Sequence, residues 1–205
     1  MSIPNSLTTL RVLLTPVFVI LLLDDSPLSN QMSLLVYVIA ALTDWYDGWI
    51  ARKYGYSSRW GKFYDPLADK ILSLSALFTF VSIGLINALM VWIILIRDVL
   101  ITSLRTYAEL KNQPVVTSKS AQAKTFGEFI IIYYILILYV AGTIPEIQIR
   151  YGGLIKDLMH QEVLFGMLLL VTISAIGTGI LYIFDNRKLI YTIYVQYFGT
   201  RRAKG

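Results

Sequence analysis

Four aspartates at fixed spacing form the segment of this sequence that points most clearly to a chemistry. Asp44 and Asp47 are three residues apart, Asp65 and Asp69 are four apart, and the whole segment reads D-x2-D-G-x2-A-R-x8-G-x3-D-x3-D. Long apolar runs flank it, and a carboxylate at membrane depth costs about 2.5–3.5 kcal/mol, so four of them need a compensating cation. Carboxylates are oxygen ligands that suit Mg²⁺ or Mn²⁺, which take phosphates as further ligands. The spacing therefore predicts a site that holds two such ions and handles phosphates.

The same spacing indicates which elements must carry these side chains. Residues three or four apart share one face of a helix, so two neighbouring helices would aim two carboxylates each at a common cleft. Two metal ions there would polarise a diphosphate and neutralise a phosphate leaving group. The small residues Gly48, Ala51 and Gly61 leave room for a nucleotide, and Arg52 can contact its phosphate. The alternative is a solvated loop whose acids balance nearby basic residues, which leaves the glycines and the Ala-Arg pair unexplained.

A second group of residues is basic and follows the aspartate segment. Arg97 and Arg105 are eight residues apart on one predicted helix, and Lys119, Lys124 and Thr125 come in and after the next connector. Arginines inside a membrane are functional candidates by default. Guanidinium and ammonium groups bind phosphate well, so a basic pocket beside a metal–diphosphate site predicts an anionic acceptor.

Two alternatives concern residues of this second group and of the N-terminal segment. Arg97 could pair with Asp98 or another acid, in which case the lysines would reflect only the positive-inside bias of membrane proteins. Asn5 and Arg11 could reach the headgroup site. Equally, Asn5 or Ser6 could cap the first helix while the Arg11 side chain extends to the membrane interface.

Composition predicts an all-α integral membrane protein with one domain over residues 1–205. The chain is 56% hydrophobic and 15% charged, which leaves too few polar residues to cover a soluble globule. Cysteine is absent and there is one histidine, so thiol chemistry and zinc–thiolate sites are excluded and histidine catalysis is disfavoured. Six apolar runs approach the ~20 residues needed to cross a bilayer. They predict six transmembrane helices, at residues 7–23, 31–51, 66–84, 87–110, 125–143 and 163–184. Pro66 would start the third helix, and Gly142 to Gly153 would form a longer connector.

The distribution of charge predicts how these helices are oriented. Most Lys and Arg residues fall in connectors 52–65 and 111–124 and after residue 184, whereas Arg150 and Lys156 fall on the opposite side. Positive residues mark the cytoplasmic side, so the active-site cleft should open there. The basic, tyrosine-containing tail 185–205 is predicted to lie on the cytoplasmic interface. The same bias explains the net charge of +5 without a nucleic acid partner.

The aspartate segment resembles the signature of the CDP-alcohol phosphatidyltransferases, and every fixed position of that signature is filled. Members of that family displace CMP from a CDP-linked lipid with an acceptor alcohol. They have six spans and a cleft facing the cytoplasm and are commonly homodimers. The resemblance implies roles for eight residues: Asp44, Asp47 and Asp65 as metal ligands, Asp69 as a ligand or neighbour of the second metal and as the base, and Gly48, Ala51, Arg52 and Gly61 around the cytidine diphosphate.

Two further segments are similar to those of bacterial phosphatidylglycerophosphate synthases. They read IPNSLTTLRVLLTP and RDVLITSLRTYAELKNQPVVTSKSAQAKT. This similarity implies CDP-diacylglycerol as the donor and sn-glycerol 3-phosphate as the acceptor. The similarity also implies a place in a bacterial inner (cytoplasmic) membrane. Where that subfamily typically has Arg-Glu and a later Gln, this chain has Arg97-Asp98 and Glu128, which leaves CDP-type cardiolipin synthesis as an alternative. Inositol phosphate transfer is a second alternative within the same chemistry. A cation transporter is the alternative from another class, but it predicts acids spread through the membrane depth or a broken helix.

Overall fold

The computed structural model describes residues 3–54, 61–110 and 119–187, together with residues 190, 191 and 195. Within that part of the chain there are seven α-helices and no β-strand, which confirms the predicted all-α class. The helices are α1 (Ile3–Leu23), α2 (Pro27–Tyr54), α3 (Gly61–Ser82), α4 (Ala88–Leu110), α5 (Lys119–Thr143), α6 (Pro145–Leu158) and α7 (Gln161–Asp185).

The turn between α3 and α4 shows how local sequence ends one helix and begins the next. Gly84 has a φ of 77°, a conformation that glycine adopts without strain. The Leu85 N–H donates to the Phe80 carbonyl at 2.9 Å and the Gly84 N–H donates to the Val81 carbonyl at 3.0 Å, the pattern of a Schellman cap. The Asn87 side chain then accepts a hydrogen bond from the Leu89 N–H at 2.9 Å and caps the N-terminus of α4.

The six long helices coincide with the six predicted apolar runs, but two details of the sequence interpretation are wrong. Helix α3 begins at Gly61, so Pro66 lies inside the helix and not at its start. Helix α6 overlaps the stretch from Gly142 to Gly153 that the sequence predicted to be a longer connector. Gly142 and Gly153 were the bounds of that predicted connector, whereas Pro145 lies in the first turn of α6, where proline favours helix initiation. At 14 residues α6 is only about 21 Å long, too short to cross a bilayer.

The packing places α3 and α5 at the centre of the molecule. Helix α1 packs against α2 and α3, α3 also contacts α4 and α5, α5 contacts α2, α6 and α7, and α4 packs against α7. The rings of Phe18 and Tyr37 lie 5.0 Å apart and those of Tyr37 and Tyr133 5.4 Å apart, so aromatic side chains join α1, α2 and α5. The basic and acidic residues described below lie where α3, α4 and α5 meet.

The outer faces of the helices are apolar. Large hydrophobic side chains such as Leu13, Ile20, Trp92, Leu170 and Phe184 are exposed. Contiguous exposed apolar surface marks contact with lipid or with another protein. Among the described residues, two helical stretches are long and apolar enough to cross a membrane: Ala123–Thr143 in α5 and Gln161–Asp185 in α7.

Candidate active site

The aspartate motif lies on two helices, as its spacing predicts. Asp44 and Asp47 belong to the C-terminal half of α2, and Asp65 and Asp69 belong to the first three turns of α3. Within each pair the positions are about one helical turn apart. The structure places Gly48, Ala51 and Arg52 of the predicted cytidine diphosphate site in α2 and Gly61 in α3. The side chains of the four aspartates, of Ala51 and of Arg52 lie outside the part of the chain that the structure describes.

The chemistry of the motif fits a divalent metal. All four candidate ligands are carboxylates, and an oxygen-only set suits Mg²⁺ or Mn²⁺ better than a metal that prefers nitrogen or sulfur. Among the side chains that the structure describes, no other group of three or more acids, histidines or cysteines could hold a metal ion. The fit therefore depends on the helical placement and the donor chemistry of the four aspartates.

Next to the motif along α3, the structure brings five charged side chains together: Lys70, Arg97, Asp98, Lys124 and Glu128. We call these residues the buried ion network. They come from α3, α4 and α5, and the side chains of Asp98 and Lys124 are completely buried. Three cations and two carboxylates leave the network with an excess of one positive charge if all five groups are ionised.

Asp98 is at the centre of the buried ion network. Its Oδ2 lies 2.8 Å from the Lys70 ammonium, and its Oδ1 lies 2.9 Å from the Arg97 guanidinium. The Lys124 ammonium donates to both carboxylate oxygens at 2.9 Å. One carboxylate thus contacts cations from three different helices.

Glu128 is the second carboxylate that Lys124 contacts, and both residues belong to α5. Lys124 donates to Glu128 Oε2 at 2.5 Å, one helical turn away, and Lys70 lies 3.8 Å from the same oxygen. The other carboxylate oxygen, Glu128 Oε1, is buried and has no hydrogen-bond partner among the residues described here. Lys124, predicted to bind the acceptor phosphate, therefore donates to two protein carboxylates in this structure.

Arg97 ties α4 to α7. Its guanidinium donates to Asp98 Oδ1 and, at 2.9 Å, to the hydroxyl of Thr178, so the predicted alternative that Arg97 pairs with Asp98 is observed. The Thr178 hydroxyl in turn donates to the carbonyl of Ser174 in the preceding turn at 2.7 Å. The role of Arg97 in phosphate binding stays a prediction.

The other predicted acceptor residues are Arg105, Thr125 and Lys119. Arg105 is exposed on α4, eight residues beyond Arg97, or about 12 Å along the helix axis. Thr125 is half-buried next to Lys124. Lys119 is the first residue of α5, and its side chain lies outside the described residues.

The N-terminal helix corrects the alternatives for Asn5 and Arg11. Helix α1 begins at Ile3, so neither Asn5 nor Ser6 is at its N-cap. The Arg11 side chain is 0% exposed, so it does not extend to an interface. A role for Asn5 and Arg11 at the headgroup site stays a prediction.

Lys70 and Glu128 were not predicted as site residues. Lys70 directly follows the last aspartate of the motif, and Glu128 follows Lys124 by one helical turn. The sequence shows both residues at these positions, but it does not show that Lys70 pairs with Asp98, which is 28 residues away on another helix. Pairing of this kind depends on how the helices pack, which local spacing does not determine.

Comparison with known proteins identifies a matching family and several similar proteins. A family model described as CDP-alcohol phosphatidyltransferase matches residues 1–174. Proteins named CDP-diacylglycerol--glycerol-3-phosphate 3-phosphatidyltransferase are similar in sequence. The one from Rickettsia typhi is 34% identical over 125 residues, 61% of this chain and 70% of the relative. The Bacillus subtilis protein is 33% identical over 66% of this chain and 77% of its own length, and the Salmonella typhimurium protein is 33% identical over 75% and 83%.

Proposed function

This chain belongs to the CDP-alcohol phosphatidyltransferase family, and from that premise we propose that it transfers a phosphatidyl group from CDP-diacylglycerol to sn-glycerol 3-phosphate. The observation that carries the proposal is the shared name of relatives from three separate genera, each aligned over more than half of this chain. The 1-hydroxyl oxygen of the acceptor attacks the β-phosphorus of the donor. The bond from that phosphorus to the CMP oxygen breaks, so the products are phosphatidylglycerol phosphate and CMP.

The aspartate motif is proposed to hold the metal and the leaving group. Asp44, Asp47 and Asp65 are the ligands, and Asp69 approaches the second ion and takes the proton from the acceptor hydroxyl. When bound, Mg²⁺ or Mn²⁺ supplies positive charge that polarises the diphosphate and neutralises CMP as it leaves. Gly48, Ala51, Arg52 and Gly61 form the cytidine diphosphate site.

An apolar groove beside the motif supports a lipid donor. It lies between α1 and α2, has a volume of about 330 Å³ and is lined by Leu7, Ile39, Leu42, Thr43 and Tyr46. Thr43 and Tyr46 directly precede Asp44 and Asp47 along α2, so part of the groove lining is next to the motif in the sequence. If an acyl chain of the donor lay in this groove, the diphosphate of the donor would be near the aspartates and the acyl chain would stay in contact with the bilayer.

The positive charge near α4 and α5 supports an anionic acceptor. The proposed residues are Arg97, Arg105, Lys119, Lys124 and Thr125. With all five groups ionised the buried ion network has one excess positive charge, and Arg105 adds an exposed guanidinium further along α4. Arg105 is exposed to solvent, whereas Lys124 is buried, and direct binding to Lys124 requires the phosphate to replace Asp98 or Glu128 as its partner.

The membrane arrangement is part of the proposal. The exposed apolar faces and the two candidate spans support an integral membrane protein. We propose six transmembrane helices, a homodimer and a cleft on the cytoplasmic side of the bacterial inner membrane, with the tail 185–205 on the same surface. Transport of cations is disfavoured, because the described acids Asp98 and Glu128 are held by lysines.

An acceptor panel tests the proposed reaction. Purified protein is incubated with CDP-diacylglycerol and Mg²⁺ plus glycerol 3-phosphate, inositol phosphate or phosphatidylglycerol, and CMP release is measured. We expect rapid release with glycerol 3-phosphate and none after addition of EDTA. Release with phosphatidylglycerol alone would assign the chain to cardiolipin synthesis, and release with inositol phosphate alone to inositol phosphate transfer.

A further inference from the structure

We propose that Asp98 is a positioning residue: through Lys70 it fixes the rotation of α3 and thereby the placement of Asp65 and Asp69 at the metal site. This inference deepens the proposed function, on which it rests, and adds a residue outside the motif. Asp98 lies on α4, and its carboxylate contacts Lys70 of α3 and Lys124 of α5. It therefore joins the helix of the motif to two neighbours at one point.

Helix geometry transmits the position of Lys70 to the motif. Lys70 follows Asp69 by one residue and Asp65 by five. At about 100° per residue, the two aspartate positions are turned by about 100° and 140° from that of Lys70, in the same direction. The positions of Asp65 and Asp69 therefore share one face of α3, next to the face from which Lys70 contacts Asp98. Because α3 is a rigid helix, a contact that fixes the rotation of Lys70 about the helix axis also fixes the rotation of these two positions.

The contact between Asp98 and Lys70 is directional and short. The Lys70 ammonium is 2.8 Å from Asp98 Oδ2, and only 17% of the Lys70 side chain is exposed. Removing ions from water carries a desolvation penalty, and well-packed apolar residues hold helices together equally well. Helix packing alone therefore does not explain five charges at this junction, whereas a fixed register between α3 and α4 does.

An amide cannot replace the Asp98 carboxylate. The two Asp98 carboxylate oxygens accept from Lys70, Arg97 and Lys124 at 2.8–2.9 Å. In Asp98→Asn one oxygen becomes an NH₂ donor that faces at least one ammonium group, and the negative charge is lost. In Asp98→Glu the charge is kept on a side chain one methylene longer.

The test compares Asp98→Asn, Asp98→Glu and Asp157→Asn in the full-length protein in lipid nanodiscs. Asp157 is an exposed acid on α6 and serves as the matched control. The readouts are kcat, the KM for each substrate, the Mg²⁺ concentration for half-maximal activity, and the rise in thermal midpoint that Mg²⁺ produces. The last of these is a binding readout that needs no turnover.

For Asp98→Asn we expect kcat to fall by between about tenfold and about a hundredfold, because misplacing a reacting group by about 1 Å has effects of that size. The half-maximal Mg²⁺ concentration should rise and the Mg²⁺-induced thermal shift should shrink. Asp98→Glu should recover most of each loss, and Asp157→Asn should match the wild type.

A purely structural role would give a different result. Asp98→Asn would then lower the thermal midpoint but, assayed below it, would keep the wild-type kcat and Mg²⁺ response, and the proposal would be wrong. If Asp98→Asn does not fold, Lys70→Met decides by the same measurements, because it leaves Asp98 paired with Arg97 and Lys124. A wild-type Mg²⁺ response in Lys70→Met also overturns the proposal. Failure of the wild type to release CMP would refute the proposed function, while the thermal shifts would still test Asp98.

Discussion

Asp69 differs from the other aspartates of the motif in its proposed role. A carboxylate that only binds metal loses metal affinity when it becomes an amide, and excess metal compensates for part of that loss. A general base must accept a proton, which an amide cannot do. We therefore expect Asp47→Asn to recover activity at high Mg²⁺ and Asp69→Asn to keep a depressed kcat at any Mg²⁺ concentration. The measurement is kcat against Mg²⁺ for both variants, and equal recovery would make Asp69 a ligand like the others.

Arg105 and Lys124 were predicted together as acceptor residues, but their surroundings differ. Arg105 is exposed, so its loss should affect the substrate more than the fold. A charge-assisted hydrogen bond contributes about 1.5–3 kcal/mol, so Arg105→Ala should raise the KM for glycerol 3-phosphate by roughly ten- to a hundredfold, with little change for CDP-diacylglycerol. Arg150→Ala on α6 is the matched control. A selective increase in the KM for the CDP-lipid would move Arg105 to the donor site.

Lys124 is buried between Asp98 and Glu128, so its replacement has a structural consequence as well. Removing one partner of a buried pair costs about 3–5 kcal/mol because it leaves charge uncompensated. Kinetic defects of Lys124→Ala therefore report on phosphate binding only where the variant is shown to be folded.

The contact between α4 and α7 can be tested through two glycines of α7. A Cβ on Gly179 would lie 3.2 Å from the Cγ atom of Arg97, whereas a Cβ on Gly177 would meet no described atom within 4 Å. Alanine is favoured over glycine in a helix by about 1 kcal/mol, so Gly177→Ala should raise the thermal midpoint. Gly179→Ala gains the same preference but displaces Arg97, so its midpoint should be lower than that of Gly177→Ala. Equal midpoints would show that Arg97 moves freely there.

The helices themselves follow from local sequence more completely than their contacts do. Each of the six long helices coincides with an apolar run, because apolar length and the turn residues Pro27 and Gly84 mark where a helix begins or ends. The motif aspartates were found because residues three or four apart share a helix face. The partners of Asp98 were not found, since Lys124 is 26 residues away and the pairing depends on how α3 packs against both α4 and α5. Helix α6 was missed because the stretch from Gly142 to Gly153 was interpreted as a connector, although Pro145 favours helix initiation.

The orientation of the protein in the membrane can be measured because the natural chain has no cysteine. Lys53, at the exposed end of α2, and Asp157, on α6, should lie on opposite sides of the inner membrane. We expect a membrane-impermeant maleimide to label Asp157→Cys in intact spheroplasts and Lys53→Cys only after lysis. The reverse pattern would place the aspartate motif on the outer side and contradict the orientation inferred from the positive charges.

The identity and stoichiometry of the products bear on the proposed reaction without any variant. Purified protein is given CDP-diacylglycerol of defined chain length, isotopically labelled glycerol 3-phosphate and Mg²⁺, and the lipid and nucleotide products are quantified by mass spectrometry. We predict labelled phosphatidylglycerol phosphate and CMP in equal amounts, with neither formed in EDTA. CMP release without labelled lipid, or a labelled lipid formed at full rate in EDTA, would contradict metal-dependent transfer of the phosphatidyl group to glycerol 3-phosphate.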